Sequence, residues 1–214
     1  MNLRHANSSR IAAVLFVLVC VACAADKVDR IGSPPSDIPD TLRQAVEAQG
    51  YRVALDKGVT ADFWFAKKLA STKTEAAGAL YPGLSDSEFV GIVKFAQAFT
   101  DFRGQSVPSG VYTLRYQLLP QDGNHLGVAP NPDFLLAVPI ASDTKPGQTY
   151  PYKKLIALSA KSTDSSHPAV IAMEAAGEPG TVTKADNGTI FSVAIPTATG
   201  TQRIGICLAC CASQ

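Results

Sequence analysis

Residues 24–206 of this 214-residue chain contain no cysteine. A body of that length without a thiol excludes a disulfide framework and any thiolate-held metal inside it, so its core must stand by packing alone. Histidine is scarce too, at three residues. No H-E-x-x-H or H-x-H spacing is present, which removes the zinc sites that put two imidazoles on one short element. G-x-S-x-G is also missing, and with it the nucleophile elbow of the α/β-hydrolases. No apolar run reaches the roughly 20 residues that a membrane-spanning helix needs. Charge of either sign is sparse: 17% of residues are charged and the formal net charge is +1. Such a chain has no basic field to hold nucleic acid, so that class of partner is excluded. No fixed-period repeat and no strand–helix–strand rhythm is found.

What is present begins with an export signal. Arg4, His5 and Arg10 form a basic start, residues 11–22 are an unbroken apolar run, and Ala22, Cys23, Ala24 and Ala25 supply the small residues a signal peptidase reads. Residues 1–25 are therefore expected to be a cleavable signal peptide. Two alternatives are an uncleaved anchor and lipidation at Cys23, which would tether the same domain to a membrane. Cleavage removes Arg4 and Arg10, so 19 basic residues become 17 against 18 acidic ones, a charge of −1. Residues 26–38, with Pro34 and Pro35, read as a flexible leader.

Residues 39–49 predict one helix. Pro39 suits a first turn, Asp40 suits the positive end of the helix dipole, and Gly50 suits the position after the last turn. From residue 51 the period becomes two. Tyr51, Val53 and Leu55 alternate with polar or small residues, and Val59, Ala61, Phe63 and Phe65 alternate on a return strand. The clearest strand is 110–119, with Tyr112, Leu114, Tyr116 and Leu118 on one face and Thr113, Arg115 and Gln117 on the other. Further strands are expected at 88–95, 134–140, 168–173, 181–184, 189–195 and 202–208, with a hairpin turn at Asp186, Asn187 and Gly188. The expectation is a mainly β protein: one antiparallel β-sandwich over 39–208, immunoglobulin-like or transthyretin-like, with one short N-terminal helix and a tail at 209–214.

The densest polar stretch runs from 100 to 133, and turns on a rigid sheet are where binding sites gather. The candidate ligand-binding residues are Asp101, Arg103, Arg115, Asp122, His125, Asp133 and, further on, His167. A metal could use His125 and His167 with Asp122 or Asp133, since imidazole and carboxylate suit zinc, copper or iron. The plainer reading makes both histidines turn residues. Arg115 either pairs with Asp101 or Asp133 in a structural network or clamps an anion through its bidentate fork. Ser159, Ser162, Ser165 and Ser166 read as a polar loop before His167. The tail CLACCASQ reads as an apolar end with at most one local bridge, such as Cys207–Cys210. A redox C-x-x-C wants a helix N-terminus, and a soft-metal site lacks a fourth ligand.

The run GVYTLRYQLLPQDGNHLGVAPNPDFLLAVP at 110–139, preceded by DFRGQ at 101–105 and followed by SSHPAV at 165–170, resembles a group of secreted, β-rich bacterial proteins to which no activity is assigned. The resemblance covers roughly residues 50–176. It implies export and a β-rich domain, and it implies no reaction or cofactor. The sequence thus predicts an exported, non-catalytic accessory or binding protein of the cell envelope, periplasmic or extracellular, whose partner is a protein, a glycan or another envelope component. Its competitor is a metal-binding protein or hydrolase built on a His/Asp cluster at 101–133.

Overall fold

The period-two alternation becomes pleated strand along most of the chain. The computed structural model describes residues 26–56, 58–70, 78–120, 122, 129–186 and 188–210. The expected signal segment lies outside them. Among the described residues, β1 (Lys27–Ile31) precedes helix α1 (Asp40–Ala45) and the strands β2 (Gly50–Ala54), β3 (Thr60–Phe65) and β4 (Phe89–Phe95). A two-strand excursion, β5 (Phe99–Thr100) and β6 (Ser106–Val107), leads into β7 (Gly110–Leu118) and β8 (Asp133–Pro139). A short 3-10 turn (Ile140–Ser142) and helix α2 (Tyr152–Ser159) follow. Then come β9 (Ala169–Glu174), β10 (Thr181–Ala185), β11 (Gly188–Pro196) and β12 (Thr201–Leu208).

Ten of these strands form one antiparallel sheet in the order β1-β2-β3-β4-β7-β8-β9-β12-β11-β10. The reversal at its end matters most. After β9 the chain crosses over and lays β10 down beside β1, so the two edges of the sheet approach each other. Side chains bridge that seam. Lys184 on β10 reaches Asp26 at 2.6 Å and Asp56 at 3.3 Å. The Lys184 ammonium holds the Asp26 carboxyl below its ordinary value. The sheet is therefore nearly closed into a barrel, which leaves little edge to pair with another chain.

A single core fills the interior. Phe63 of β3 and Tyr51 of β2 meet Phe191 of β11 across the barrel, with ring centres 5.5 and 5.4 Å apart. Val93, Leu114, Leu135 and Ile206 are fully buried around them. Gly205 lets β12 pass close to β9, because a Cβ there would sit 2.5 Å from the Glu174 carbonyl.

Three expectations are corrected. The described residues show one curled sheet rather than the two stacked sheets of an immunoglobulin-like or transthyretin-like sandwich. The cause is the crossover to β10, which brings aromatic residues from opposite ends of the sheet together. The expected leader carries β1, whose charged Lys27, Asp29 and Arg30 suit an edge strand. Nor do the described residues hold a single N-terminal helix. α1 follows β1 and stops at Ala45, because Val46 is extended and bridges Ala66 while Glu47 N–H donates to the Phe65 carbonyl. The longer α2 lies mid-chain, where Leu155 and Leu158 bury one face of only two turns.

Phe191→Ala removes the ring on which both sides of the barrel converge. It should cost about 3–5 kcal/mol and lower Tm by roughly 6–20 °C. A fall below about 3 °C in a thermal melt would mean that the interior repacks and that this contact does not hold the barrel.

Candidate functional site

The polar face of β7 does not meet water. The chain from Ile140 to Ser162 folds back over it, carrying α2, and covers Thr113 and Arg115, while Gln117 is buried further along the strand. Arg115 is 1% exposed. Its Nε and Nη2 donate to Asp143 Oδ2 and Oδ1, both at 2.8 Å. Nη2 also donates to the Lys145 carbonyl at 2.8 Å. Nη1 serves the carbonyls of Ser87, Pro146 and Gln148 at 3.0, 3.1 and 2.8 Å. All five N–H donors of the guanidinium are thus engaged. Asp143, wholly buried, also accepts from Thr113 Oγ1 at 2.6 Å and from the Tyr150 hydroxyl at 3.0 Å. Burial, then the Asp143 charge, pushes the Tyr150 hydroxyl above its ordinary pKa.

The expected partners of Arg115 each serve another network. Asp101 accepts from the N–H groups of Arg103 and Gln105 at 2.9 and 2.8 Å, and from the Gln105 amide at 2.8 Å. It also takes the Val170 N–H at 3.1 Å, while Phe102 N–H donates to the Val170 carbonyl. The 101–105 loop thereby covers the part of the β9 edge that β12 does not reach. Asp133 anchors a plug. It accepts from Leu80 N–H at 2.8 Å, Tyr81 N–H at 3.1 Å and the Tyr116 hydroxyl at 2.6 Å. The Tyr81 hydroxyl in turn donates to the Glu174 carbonyl and accepts from Gly205 N–H. Burial pushes the Tyr81 hydroxyl up to about 12. Burial and the hydrogen bond to Asp133 raise Tyr116 further.

The remaining candidates are dispersed. Arg103 and Asp122 are exposed. His167 is exposed on the loop before β9, where its N–H donates to Ser165 Oγ and its carbonyl accepts from Thr163 Oγ1. His125 lies outside the described residues. No three His, Cys, Asp or Glu side chains gather into a metal-binding set among the described residues. Ser159 and Ser162 are buried and donate to the Ala137 carbonyl, tying the end of α2 to β8. Cys207 and Cys210 form the one local bridge that the tail allows.

Behind the Arg115 network lies a shallow recess of about 450 Å³, lined by Thr41, Gln44, Lys145, Pro146, Gly147 and Gln148. Its loop is the one whose carbonyls face the guanidinium. Thr41 Oγ1 of α1 ties into it through the Thr144 carbonyl at 2.7 Å. Asp143 and Gln148 were not among the sequence candidates. The only local signal there was the turn composition of SDTKPGQ. No known protein family, curated protein or solved structure matches this chain.

Asp143→Asn should cost about 3–5 kcal/mol in urea unfolding, because it strands a buried guanidinium. The pair Arg115→Met with Asp143→Leu should restore most of that loss, and strictly additive single effects would show that the two charges are not coupled. The phenol groups give a pH prediction. A folded-state pKa raised above the unfolded value of 10.0 means stability that is complete below pH 10 and fades as pH approaches about 12. Tyrosinate absorbance should show Tyr81 and Tyr116 ionising only with alkaline unfolding, and Tyr81→Phe should reduce the loss of stability above pH 10. Free titration of all six tyrosines near pH 10 in the folded protein would contradict this burial.

Proposed function

We propose that this chain is an exported, non-catalytic β-barrel that serves the cell envelope as a binding or accessory protein. One observation carries the non-catalytic part. The buried charged groups of the 101–133 region are used inside the fold, with Arg115 held by Asp143 and four carbonyls, and Asp101 and Asp133 held by their own donors, while the neutral Gln117 keeps a buried amide oxygen without a partner among the described residues. A reaction centre needs a donor, base or ligand left facing a substrate, and these three face protein. The export part rests on the basic, apolar and small-residue pattern of residues 1–25.

The binding surface is the recess between α1 and the 144–148 loop. Its side chains are an ammonium, two primary amides and a hydroxyl, the groups that read hydroxyl-rich or weakly anionic envelope polymers. The loop beneath is fixed from behind, so it binds without much ordering cost. Peptidoglycan sacculi are the probe of choice. Sacculi should retain the purified protein on sedimentation, and Gln44→Ala with Gln148→Ala should weaken retention at least about tenfold while leaving the thermal melt in place. Retention that ignores both substitutions would remove the recess from the proposal. Elemental analysis of the same preparation tests the competing metal-binding or hydrolase reading. A metal near one equivalent, lost with His125→Ala or His167→Ala, would overturn the non-catalytic reading.

A further inference from the structure

The last ladder partner of β12 is Leu208, opposite Thr189. Beyond it the chain turns through Ala209 at φ 60°, a left-handed conformation that a residue bearing a Cβ adopts at a cost. That turn returns Cys210 to Cys207, and the two are joined with their Cα atoms 5.8 Å apart. Both are buried, at 3% and 2% exposure. The bridge rests on the backbone of Gly188, where any Cβ would collide with Cys210 Sγ. Its neighbours are Phe102, Phe134 and Ala172, an apolar cluster separate from the barrel core that holds Ile206 and Leu208. Among the described residues, no backbone hydrogen bond holds Ala209 or Cys210.

We propose that the Cys207–Cys210 bridge is a redox latch on this corner of the barrel. Reduction releases residues 209–210 from Gly188 and uncovers the Phe102, Phe134 and Ala172 cluster, while the barrel stays folded. Three observations support a local device. The bridge closes a loop of only two intervening residues, so it restricts the unfolded chain little and the fold does not depend on it. The sulfurs lie outside the main core, so that core keeps its contacts when the bridge opens. The left-handed turn at Ala209 is held by the closure and by packing of the Ala209 methyl on the edge of the barrel core, with no backbone hydrogen bond of its own among the described residues. Once opened, Ala209 relaxes to an ordinary conformation and carries Cys210 away from Gly188. The reductant is a dithiol. Its thiolate attacks one bridge sulfur and expels the other cysteine as a thiolate, giving a mixed disulfide, and its second thiolate then attacks its own first sulfur and expels the remaining cysteine. The bridge S–S bond breaks, a new S–S bond forms in the dithiol, and two protons pass to the two cysteine thiolates. This latch is independent of the binding reading above.

Hydrogen exchange of the purified chain, air-oxidised and then treated with dithiothreitol, tests the proposal, with peptide mass mapping of the bridge. Reduction should speed exchange at 188–190 and 206–208 at least about tenfold and leave 61–65 and 112–116 unchanged. Parallel loss of protection everywhere would make the bridge a staple of the whole fold, and no change at the corner would make it inert. Either result overturns the latch, as does mapping that finds no bridge in the oxidised protein. Gly188→Ala supplies a second readout. It should move the equilibrium with glutathione toward the dithiol at least about tenfold, or about 30 mV, with the circular dichroism of the barrel intact. An unmoved equilibrium would show that the bridge is not seated on Gly188.

Discussion

A guanidinium buried in the outer row of a central strand governs much of this molecule. β7 must present Arg115 on the face opposite Tyr112, Leu114 and Tyr116, because side chains alternate along a strand. Those three belong to the barrel interior, so Arg115 is directed outward. An outward arginine usually ends in water. Here the chain after β8 closes over it, and a covered guanidinium requires an anion and a full set of acceptors. The Ile140–Ser142 turn delivers Asp143, the next residues turn three carbonyls inward, and Ser87 supplies another. The position of the 143–150 loop follows from that requirement, and so does the recess on its outer side.

The two mouths and edges of the barrel obey the same rule with different groups. Asp133 is a buried carboxylate whose donors are neutral: two backbone N–H groups and a phenol. It fixes the loop that inserts Tyr81, and Tyr81 then bonds the close crossing of β9 and β12 at Gly205. Asp101 does for the free part of β9 what a neighbouring strand would do, since it takes the Val170 N–H. In each case a polar residue suggestive of chemistry instead completes backbone hydrogen bonding that a curled, irregular sheet leaves open. Asp101 and Asp133, which look like site residues in sequence, thus hold otherwise open backbone N–H groups in three dimensions.

Local periodicity made most strands legible. β2, β3, β7 and β11 all alternate strongly, and their positions agree with the expected ones to within a residue or two. α2 was not legible, because it has two turns, two consecutive lysines and only Leu155 and Leu158 to mark its buried face. β1 was hidden by its charge, which is a property of edge strands rather than of leaders. Closure was hidden for a different reason. Whether β10 follows β9 in the sheet or crosses to β1 depends on which distant aromatic residues meet, and no window of the sequence carries that information.

The sequence alone determined a mainly β chain with no disulfide in its body, no excess of charge, and an amino-terminal pattern that predicts export. Each of these is a matter of composition or of period along the chain, so neighbours in sequence suffice to decide it. Tertiary structure alone decided that the strands curl into one near-closed sheet, that Arg115 pairs with Asp143, and that Asp101 and Asp133 serve separate loops. Those outcomes depend on contacts between residues far apart in the chain: 28 positions for Arg115 and Asp143, 69 for Asp101 and Val170, and 128 for Lys184 and Asp56 across the seam. Such contacts are selected by burial and by the need to satisfy every enclosed donor, which only the assembled core imposes.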